Sequence, residues 1–306
     1  MNEHERIAWL LRQPSESPHL ALANGDDAAV VKAPSGAVIS VDAQVEGTHF
    51  RRSFADWETL GRRAVVAALS DLAAMGASPR AVFSSLVLPA KFEEDEFKAI
   101  TRGIGRGAEE SNAVVAGGNL SGGPCVMIDT TVVGEAPNGV VTRSGASPGD
   151  GVYVSGILGA AALGLEALLA DCHDDVLRPY IDAWRAPRLD FQFASTLSSH
   201  ASAAIDISDG LLQDLSHLCR ASGVSAELDE EAITPSDEFR AAAKHMDRDA
   251  RELILSGGEA YCLLYTSARP VRNATRIGRI VKIADASIFN ARGDVLEAPG
   301  FDHFAR

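Results

Sequence analysis

One aspartate lies within an otherwise apolar helical stretch, where a charged side chain is unexpected. Asp71 falls within residues 64–76, AVVAALSDLAAMG, whose helical spacing surrounds it with small apolar side chains. That face of the helix is expected to be buried, and a buried carboxylate without a partner is costly. After Arg63, no Lys or Arg lies within two helical turns of Asp71. A cation from elsewhere must therefore meet Asp71, and we favour a metal ion over a distant arginine or a loop-capping role.

Two further acidic positions stand at apolar strands in the first half of the chain. Residues 25–31, GDDAAVV, bring two adjacent carboxylates to the mouth of a strand, and the strand predicted at 38–42 ends in Asp42. Neighbouring side chains of a strand point to opposite faces, so only one of the adjacent pair can serve a given site, and we assign Asp26. A surface turn explains this pair equally well when the segment is taken alone.

The second half contains the sharpest local motif, at residues 203–212, AAIDISDGLL. Asp206 lies in a predicted strand, and Ser208 and Asp209 follow at the start of a predicted helix. Two carboxylates three residues apart at one strand end repel each other unless a cation lies between them. A structural role, in which Ser208 or Asp209 caps the helix, stays open.

Glycine pairs accompany these acids at the ends of strands. Gly118 closes one pair and is followed by Asn119, and a second pair at 257–258 is followed by Glu259. Paired glycines let a phosphate approach backbone N–H groups closely. Acidic oxygen ligands without Cys or His at zinc spacing favour Mg²⁺, which often completes its shell with substrate phosphates. Phosphoryl transfer needs positioning and charge neutralisation, so we predict no covalent catalytic residue.

Two isolated residues leave alternatives open. Arg143, in a Pro/Gly/Ser-rich stretch, could bind phosphate or be a solvated loop arginine. His49, in the loop at 44–50, could be catalytic or a hydrogen-bonded structural residue. The sequences GxxxxGK[ST], HRDxxxxN and GxGxxG with a following ribose-binding acid are absent, which excludes P-loop, protein-kinase and Rossmann sites.

The elements that must position these residues alternate between strands and helices. Strands are predicted at 38–42, 81–88 and 151–155, with helices ending at Gly76 and Glu110 between them. This order predicts an α/β or α+β fold. The stretch at 135–150, EAPNGVVTRSGASPGD, is the predicted junction between domains at 1–140 and 141–306.

The composition excludes several classes of protein. A formal charge of −14 and a pI near 5.0 argue against a nucleic-acid or membrane-surface binder. The four cysteines show neither metal-finger spacing nor a disulfide framework. The N-terminus has no signal-peptide pattern, and the longest apolar run is too short to span a bilayer. We therefore expect a cytoplasmic protein.

The motifs taken together resemble one family along essentially the whole chain. GDDAAVV, ISVDAQVEGTHF, ALSDLAAMGASP, GGNLSGGP, TRSGASPGD, AIDISDGLLQDL, LSGGEAY and GFDHF look like the successive motifs of thiamine-monophosphate kinase, in that family's order. This family lies within the aminoimidazole-ribonucleotide-synthetase-like superfamily. Selenophosphate synthetase and the hydrogenase-maturation dehydratase fit less well, because the chain lacks their N-terminal and C-terminal cysteines.

The resemblance implies a two-domain synthetase-like fold, in which the N-terminal mixed sheet forms a β-barrel with that of a second copy. It implies an ATP-dependent phosphotransferase that converts thiamine monophosphate into thiamine diphosphate by direct in-line transfer. Carried over by motif, several Mg²⁺ ions would be bound by Asp26, Asp42, Asp71, Asn119, Asp206 and Asp209. Gly118, Arg143 and Ser208 would contact the nucleotide, and His49, Glu259 and Phe301 the thiamine moiety.

The chain departs from the family's pattern at a few positions. Asn119 stands where GGD would place a carboxylate, and Ala260 replaces the acid of GGED. Val41 stands where a Ser or Thr is common. An amide still offers one neutral oxygen, but a negative charge is lost. The alternative function is therefore a nucleotide-binding paralogue with an altered acceptor or little catalysis.

Overall fold

The structure, a computed structural model, describes residue 9 and residues 17–22, 30–34, 36–269, 274–284 and 287–297. The chain divides into two compact units. The first combines Met1–Leu72 with Ala77–Pro137, and the second combines Ala73–Gly76 with Asn138–Arg306. The predicted site residues Asp26 and Phe301 lie outside the described residues.

The first unit is built on a four-stranded mixed sheet in the order β3-β6-β4-β5, with a two-stranded sheet of β1 and β2 beside it. All pairings within the larger sheet are antiparallel except that of β4 with β5. Among the described residues it is an open sheet whose edges are β3 and β5. The six strands are β1 (Leu20–Leu22), β2 (Val30–Val31), β3 (Ala37–Val45), β4 (Ser78–Leu88), β5 (Val114–Gly122) and β6 (Met127–Glu135).

From residue 36 to the end of β6, the described chain forms two helices, α1 (Trp57–Ala74) and α2 (Glu94–Glu110). The Asp56 carboxylate accepts the N–H of Thr59 at 2.7 Å, so it caps α1. Helix α1 is buried at every position from Arg63 to Ala74 except Asp71, which is partly exposed. The stretch from Arg63 to Ala74 is therefore a core element, and Asp71 is its one partly exposed position.

The register of the first sheet decides which side chains share a face. Asp42 pairs with Thr130, Thr130 with Ser84, and Ser84 with Gly118, so these four positions form one row on one face. The other face carries Ile39 and Val41, each 60% exposed. Two exposed branched apolar side chains on an edge strand are unusual and mark an uncovered surface.

The second unit contains a six-stranded sheet in the order β12-β9-β11-β7-β10-β8, antiparallel except between β9 and β12. Its strands are β7 (Gly151–Val154), β8 (Ala203–Asp206), β9 (Ser225–Leu228), β10 (Leu263–Ser267), β11 (Thr275–Val281) and β12 (Ile288–Asn290). Its helices are α3 (Ala160–Leu169), α4 (Arg178–Arg185), α5 (Phe191–Ala194), α6 (Leu211–Ser222), α7 (Asp237–His245) and α8 (Ala250–Ser256).

The mixed α/β class expected from the strand and helix order is confirmed. The predicted strand at 38–42 is longer than expected, because β3 continues to Val45 and takes in the first two residues of the predicted loop. Within the described residues, no helix combines the length and the apolar character that crossing a membrane requires.

Glycines set the distance between α1 and α2. A Cβ added at Gly103 of α2 would lie 1.9 Å from the carbonyl oxygen of Glu58 on α1, and one at Gly61 would lie 2.2 Å from that of Ile100. Both contacts are with backbone, which cannot move aside as a flexible side chain would. The two helices therefore approach as closely as their backbones allow.

Replacing Gly103 by alanine should therefore destabilise the protein. We expect Gly103→Ala to lower the free energy of unfolding by about 2 kcal/mol, since the added methyl group separates the two helices. Gly105→Ala is the matched control on the same helix, because nothing lies within 4 Å of its added Cβ. It should raise stability by up to about 1 kcal/mol through helix propensity. Urea unfolding of both variants checks this, and equal effects would contradict the close packing.

Candidate active site

In the first unit, two predicted metal ligands lie on the same side of the sheet. The hydroxyl of Ser40 on β3 donates a hydrogen bond to Asp71 Oδ2 on α1, at 2.5 Å. Ser40 and Asp42 are two residues apart on β3 and therefore face the same way. The structure thus brings Asp42 and Asp71 together around a hydroxyl that the sequence analysis did not single out.

Electrostatics make this group unfavourable without a cation. Burial raises the pKa of the Asp42 carboxyl above its usual range, and the neighbouring Asp71 carboxylate adds to that rise. A hydrogen bond from Gln44 Nε2, at 3.1 Å, and the nearby His49 act in the opposite direction. A cation placed between the two carboxylates would remove their repulsion, so the donor set fits Mg²⁺.

His49 lies in the turn that follows β3. Its Nδ1 accepts the backbone N–H of Val45 at 3.0 Å, so the proton of the neutral imidazole is on Nε2. This backbone contact positions the ring, as the structural alternative requires. It also presents Nε2–H as a donor, so the contact does not exclude the predicted substrate role.

Gly118 and Asn119 lie on β5 in the same unit, but they face opposite ways. A Cβ at Gly118 would lie 2.0 Å from the carbonyl oxygen of Ser84, so close strand packing already requires a glycine there. Asn119 pairs with Ser85, which pairs with Asp129, and this row is on the face opposite to Asp42. The structure therefore does not place Asn119 in the group formed by Asp42 and Asp71.

In the second unit, three carboxylates crowd the start of α6. Asp206 ends β8 and is 5% exposed, Asp209 follows in the loop, and Asp214 in the first turns of α6 is 3% exposed. Burial first, and then the charges of Asp206 and Asp209, raise the pKa of Asp214 to about 7. Like charges held this close to one another favour either a shared proton or a cation.

The structural alternative for this motif is excluded. The N-cap residue of α6 is Gly210, and it makes no side-chain capping bond, so neither Ser208 nor Asp209 caps the helix. Instead, Asp214 Oδ2 accepts the N–H groups of Asp209 and Gly210 at 3.2 and 3.1 Å. The sequence analysis missed this role of Asp214, although its motif includes the residue. The Asp209 carboxylate accepts a hydrogen bond from Gln213 at 3.1 Å.

Glu259 lies beside this group because two loops meet there. Its N–H donates to the Ser208 carbonyl at 2.8 Å, and its carboxylate accepts the indole N–H of the buried Trp184 at 3.1 Å. The backbone of Glu259 has a φ of +67°, a left-handed conformation that is strained for this residue. A Cβ at Gly258 would lie 2.3 Å from the Ser208 carbonyl oxygen, so this close contact requires the glycine.

Arg143 lies on an exposed loop of the second unit. Its carbonyl accepts the Ser222 hydroxyl at the end of α6, at 3.0 Å. Its guanidinium is close enough to His217 on the same helix to help lower the pKa of that imidazole, after the larger effect of burial. The Asp209 carboxylate also acts on His217, in the opposite direction, so Arg143 is in the electrostatic neighbourhood of the acidic loop.

Comparison with known proteins identifies the family that this chain resembles. Residues 25–136 match the family model described as AIR synthase related protein, N-terminal domain. The thiamine-monophosphate kinase of Corynebacterium glutamicum is 34% identical over 292 residues, covering 92% of this chain and 87% of that protein. The thiamine-monophosphate kinase of Aquifex aeolicus is 33% identical over 289 residues, covering 92% of each.

A solved structure supports the same relationship. The structure of AaThiL complexed with AMPPCP and TMP superposes with a TM-score of 0.83 at 32% identity, covering 99% of both chains. Both sequence and fold therefore match over nearly the whole chain.

The raised pKa of Asp214 predicts how stability depends on pH in metal-free protein. Between its ordinary pKa of 3.8 and about 7, the folded protein retains a proton that the unfolded chain has released, so this carboxyl's contribution is lost as pH rises. Asp214→Asn removes the titration while keeping an oxygen acceptor. We expect its stability relative to wild type to increase by roughly 2 kcal/mol between pH 5 and pH 8.

Urea unfolding in the presence of EDTA measures this difference. Asp182→Asn, at an exposed acid of α4, is the control and should show no such trend. Adding Mg²⁺ at pH 8 should stabilise the wild type and reduce its disadvantage. A difference between the Asp214 variant and wild type that does not change with pH would contradict the crowding of these carboxylates.

Proposed function

Because this chain belongs to the thiamine-monophosphate kinase family, we propose that it transfers the γ-phosphate of ATP to thiamine monophosphate and forms thiamine diphosphate. It is a phosphotransferase. The observation that carries the proposal is the match to thiamine-monophosphate kinases over 92% of the chain, together with acidic groups at the motif positions in each unit. The alternative of a paralogue with little catalysis is not favoured.

Several Mg²⁺ ions are proposed at these acids. Asp42 and Asp71 would bind Mg²⁺ in the first unit, and Asp206 and Asp209 in the second. The family resemblance adds Asp26 and Asn119 to the proposed ligand set, and Asn119 would bind a metal separate from the group of Asp42 and Asp71, since it lies on the other face of its sheet. Bound Mg²⁺ would neutralise phosphate charge during an in-line transfer, which requires no covalent intermediate. Ser40 and Asp214 would hold the ligands in place through their hydrogen bonds to Asp71 and to the Asp209 backbone.

The remaining proposed residues contact the two substrates. Gly118, Arg143 and Ser208 would contact the nucleotide, and Gly118 would let it approach the backbone of β5. His49, Glu259 and Phe301 would contact the thiamine moiety. Glu259 is suited to this task because Trp184 fixes one of its oxygens, and its negative charge complements the cationic thiazolium ring.

We also propose a homodimer in the cytoplasm. The exposed Ile39 and Val41 form an apolar stripe on β3, and pairing this face with that of a second copy would complete the β-barrel that the family resemblance implies. The four cysteines are free thiols, which suits a reducing compartment.

Turnover with ATP, Mg²⁺ and thiamine monophosphate tests the function directly. Wild-type protein should form thiamine diphosphate, detected by chromatography. Asp71→Asn keeps the size of the side chain and its acceptor for Ser40 but removes the charge, so we expect at least a 100-fold loss of kcat, about 2.7 kcal/mol in activation free energy.

Asp95→Asn is the control, because Asp95 is an exposed acid in the first turn of α2 and is not one of the proposed site residues. It should retain wild-type turnover. Failure of wild-type protein to form thiamine diphosphate while it still binds ATP would overturn the kinase assignment in favour of another acceptor. Full activity of Asp71→Asn would remove Asp71 from the metal site and leave the kinase assignment intact.

A charge placed on the apolar stripe should separate the proposed dimer. Val41→Asp introduces a carboxylate where a second copy would bury an apolar side chain, so we expect a monomer by light scattering coupled to size-exclusion chromatography. Ile283→Asp is the matched control, because Ile283 is 72% exposed and lies in the second unit. Wild-type protein that elutes as a monomer would refute the dimer.

A further inference from the structure

Three potential metal ligands of different chemistry meet at the surface of the second unit. They are Cys172, Asp174 and His245, and their ligand atoms all lie within 4.8 Å of one another. The cysteine is half-buried and the other two side chains are exposed. None of the three belongs to the acidic groups proposed to bind Mg²⁺.

The backbone holds these residues in position. Cys172 follows α3, where its N–H donates to the Ala167 carbonyl at 2.9 Å. Asp174 precedes the 3₁₀ turn Asp175–Leu177, and its carbonyl accepts the N–H of Leu177 at 2.9 Å. His245 is the last residue of α7, and its Nε2 lies 2.7 Å from Asp174 Oδ2. The contact between His245 and Asp174 therefore already joins the end of α7 to the loop after α3. These two residues are one of the three pairs of potential metal ligands in the cluster.

We propose that Cys172, Asp174 and His245 form a binding site for Zn²⁺, with a water molecule as the fourth ligand. A thiolate, an imidazole and a carboxylate are the three side-chain ligands that Zn²⁺ accepts in tetrahedral sites. Mg²⁺ prefers oxygen ligands alone and would not compete for a thiolate. The proposed Zn²⁺ site therefore differs from the proposed Mg²⁺ sites in the metal that it binds as well as in its position.

The distances require only a small rearrangement. Zn²⁺ bonds of about 2.0–2.3 Å at tetrahedral angles place donor atoms roughly 3.3–3.7 Å apart. The histidine and aspartate donors must separate slightly from 2.7 Å to admit the ion, and since no two donors are more than 4.8 Å apart, no pair must close by more than roughly 1 Å. Rotation of half-buried and exposed side chains can provide both changes without moving the backbone.

The local charge favours a cation. The thiolate and the Asp174 carboxylate together balance the charge of Zn²⁺. Of the acidic residues adjoining the site in sequence, Asp175 is paired with Arg178 and Asp171 with His173, so the charge balance depends on the ligands themselves. His245 also stands at the C-terminus of a nine-residue helix, where the helix dipole stabilises positive charge. Bound Zn²⁺ would fasten the loop after α3 to α7 and stabilise this unit by mass action.

Spectroscopy of the full-length protein with Co²⁺ tests the site, with Mg²⁺ in excess to occupy the oxygen-ligand sites. Wild-type protein should bind one Co²⁺ with a thiolate-to-metal charge-transfer absorption, and Zn²⁺ should displace it. Cys172→Ser should abolish this absorption. His245→Gln and Asp174→Asn should each weaken Zn²⁺ binding by at least about tenfold, as measured by competition with a chromophoric chelator.

Two matched variants control for other ligands. Cys125→Ser changes the other half-buried cysteine, and His173→Gln changes a neighbouring exposed histidine that pairs with Asp171 at 3.1 Å. Both should bind Zn²⁺ as wild type does. The three site variants change partly or fully exposed side chains, so circular dichroism and thermal unfolding without metal should match wild type.

Several outcomes would overturn the proposal. Absence of the thiolate absorption from wild-type protein with Co²⁺, or its persistence in Cys172→Ser, is one such result. A Zn²⁺ affinity that falls in His173→Gln but not in His245→Gln would show that His173 binds the metal and His245 does not. Turnover of thiamine monophosphate is a separate measurement, so failure of this site would leave the kinase assignment unaffected.

Discussion

Repulsion between carboxylates that are partly withdrawn from water is the constraint on which both units depend. In the first unit, burial raises the pKa of Asp42 and the nearby Asp71 carboxylate adds to that rise. In the second unit, Asp206, Asp209 and Asp214 crowd the start of one helix. Each group is held by uncharged donors, the Ser40 hydroxyl in one case and two backbone N–H groups in the other. Such donors orient carboxylates without neutralising them, which leaves their charge available to a cation.

Close backbone packing fixes these groups in space. Gly118 lies against the Ser84 carbonyl, and Gly258 against that of Ser208, at distances where any Cβ would collide. The same glycines look like a phosphate-binding signal in the sequence, because small size serves both purposes. Close packing of strands and loops alone would therefore explain both glycines. The proposed nucleotide contact of Gly118 is supported instead by the family relationship and by the neighbouring acids.

Much of the fold and part of the site could be predicted from local sequence. Asp71 stood out because its helix is otherwise apolar, and the structure shows that it is the one opening in a buried stretch of α1. Ser40 and Asp214 could not be assigned in this way, since their roles depend on a strand meeting a helix and on a side chain reaching back to a loop. The contact of His245 with Asp174 joins residues 71 positions apart, and no sequence spacing predicts it.

The positions of Val41 and Asn119 on the faces of β3 and β5 show how these departures from the family's motifs affect the proposed metal ligands. Val41 removes a hydroxyl from the family's usual position, but it points away from Asp71, and the adjacent Ser40 supplies a hydroxyl on the correct face. Asn119 lies on the face opposite to Asp42, so its lost charge does not weaken the Asp42 and Asp71 pair directly. Ala260 follows Glu259, whose carboxylate is already held by Trp184. The departures at Val41 and Ala260 thus leave the hydrogen bonds of Asp71 and Glu259 intact, as expected of a chain that retains the family's phosphotransfer chemistry.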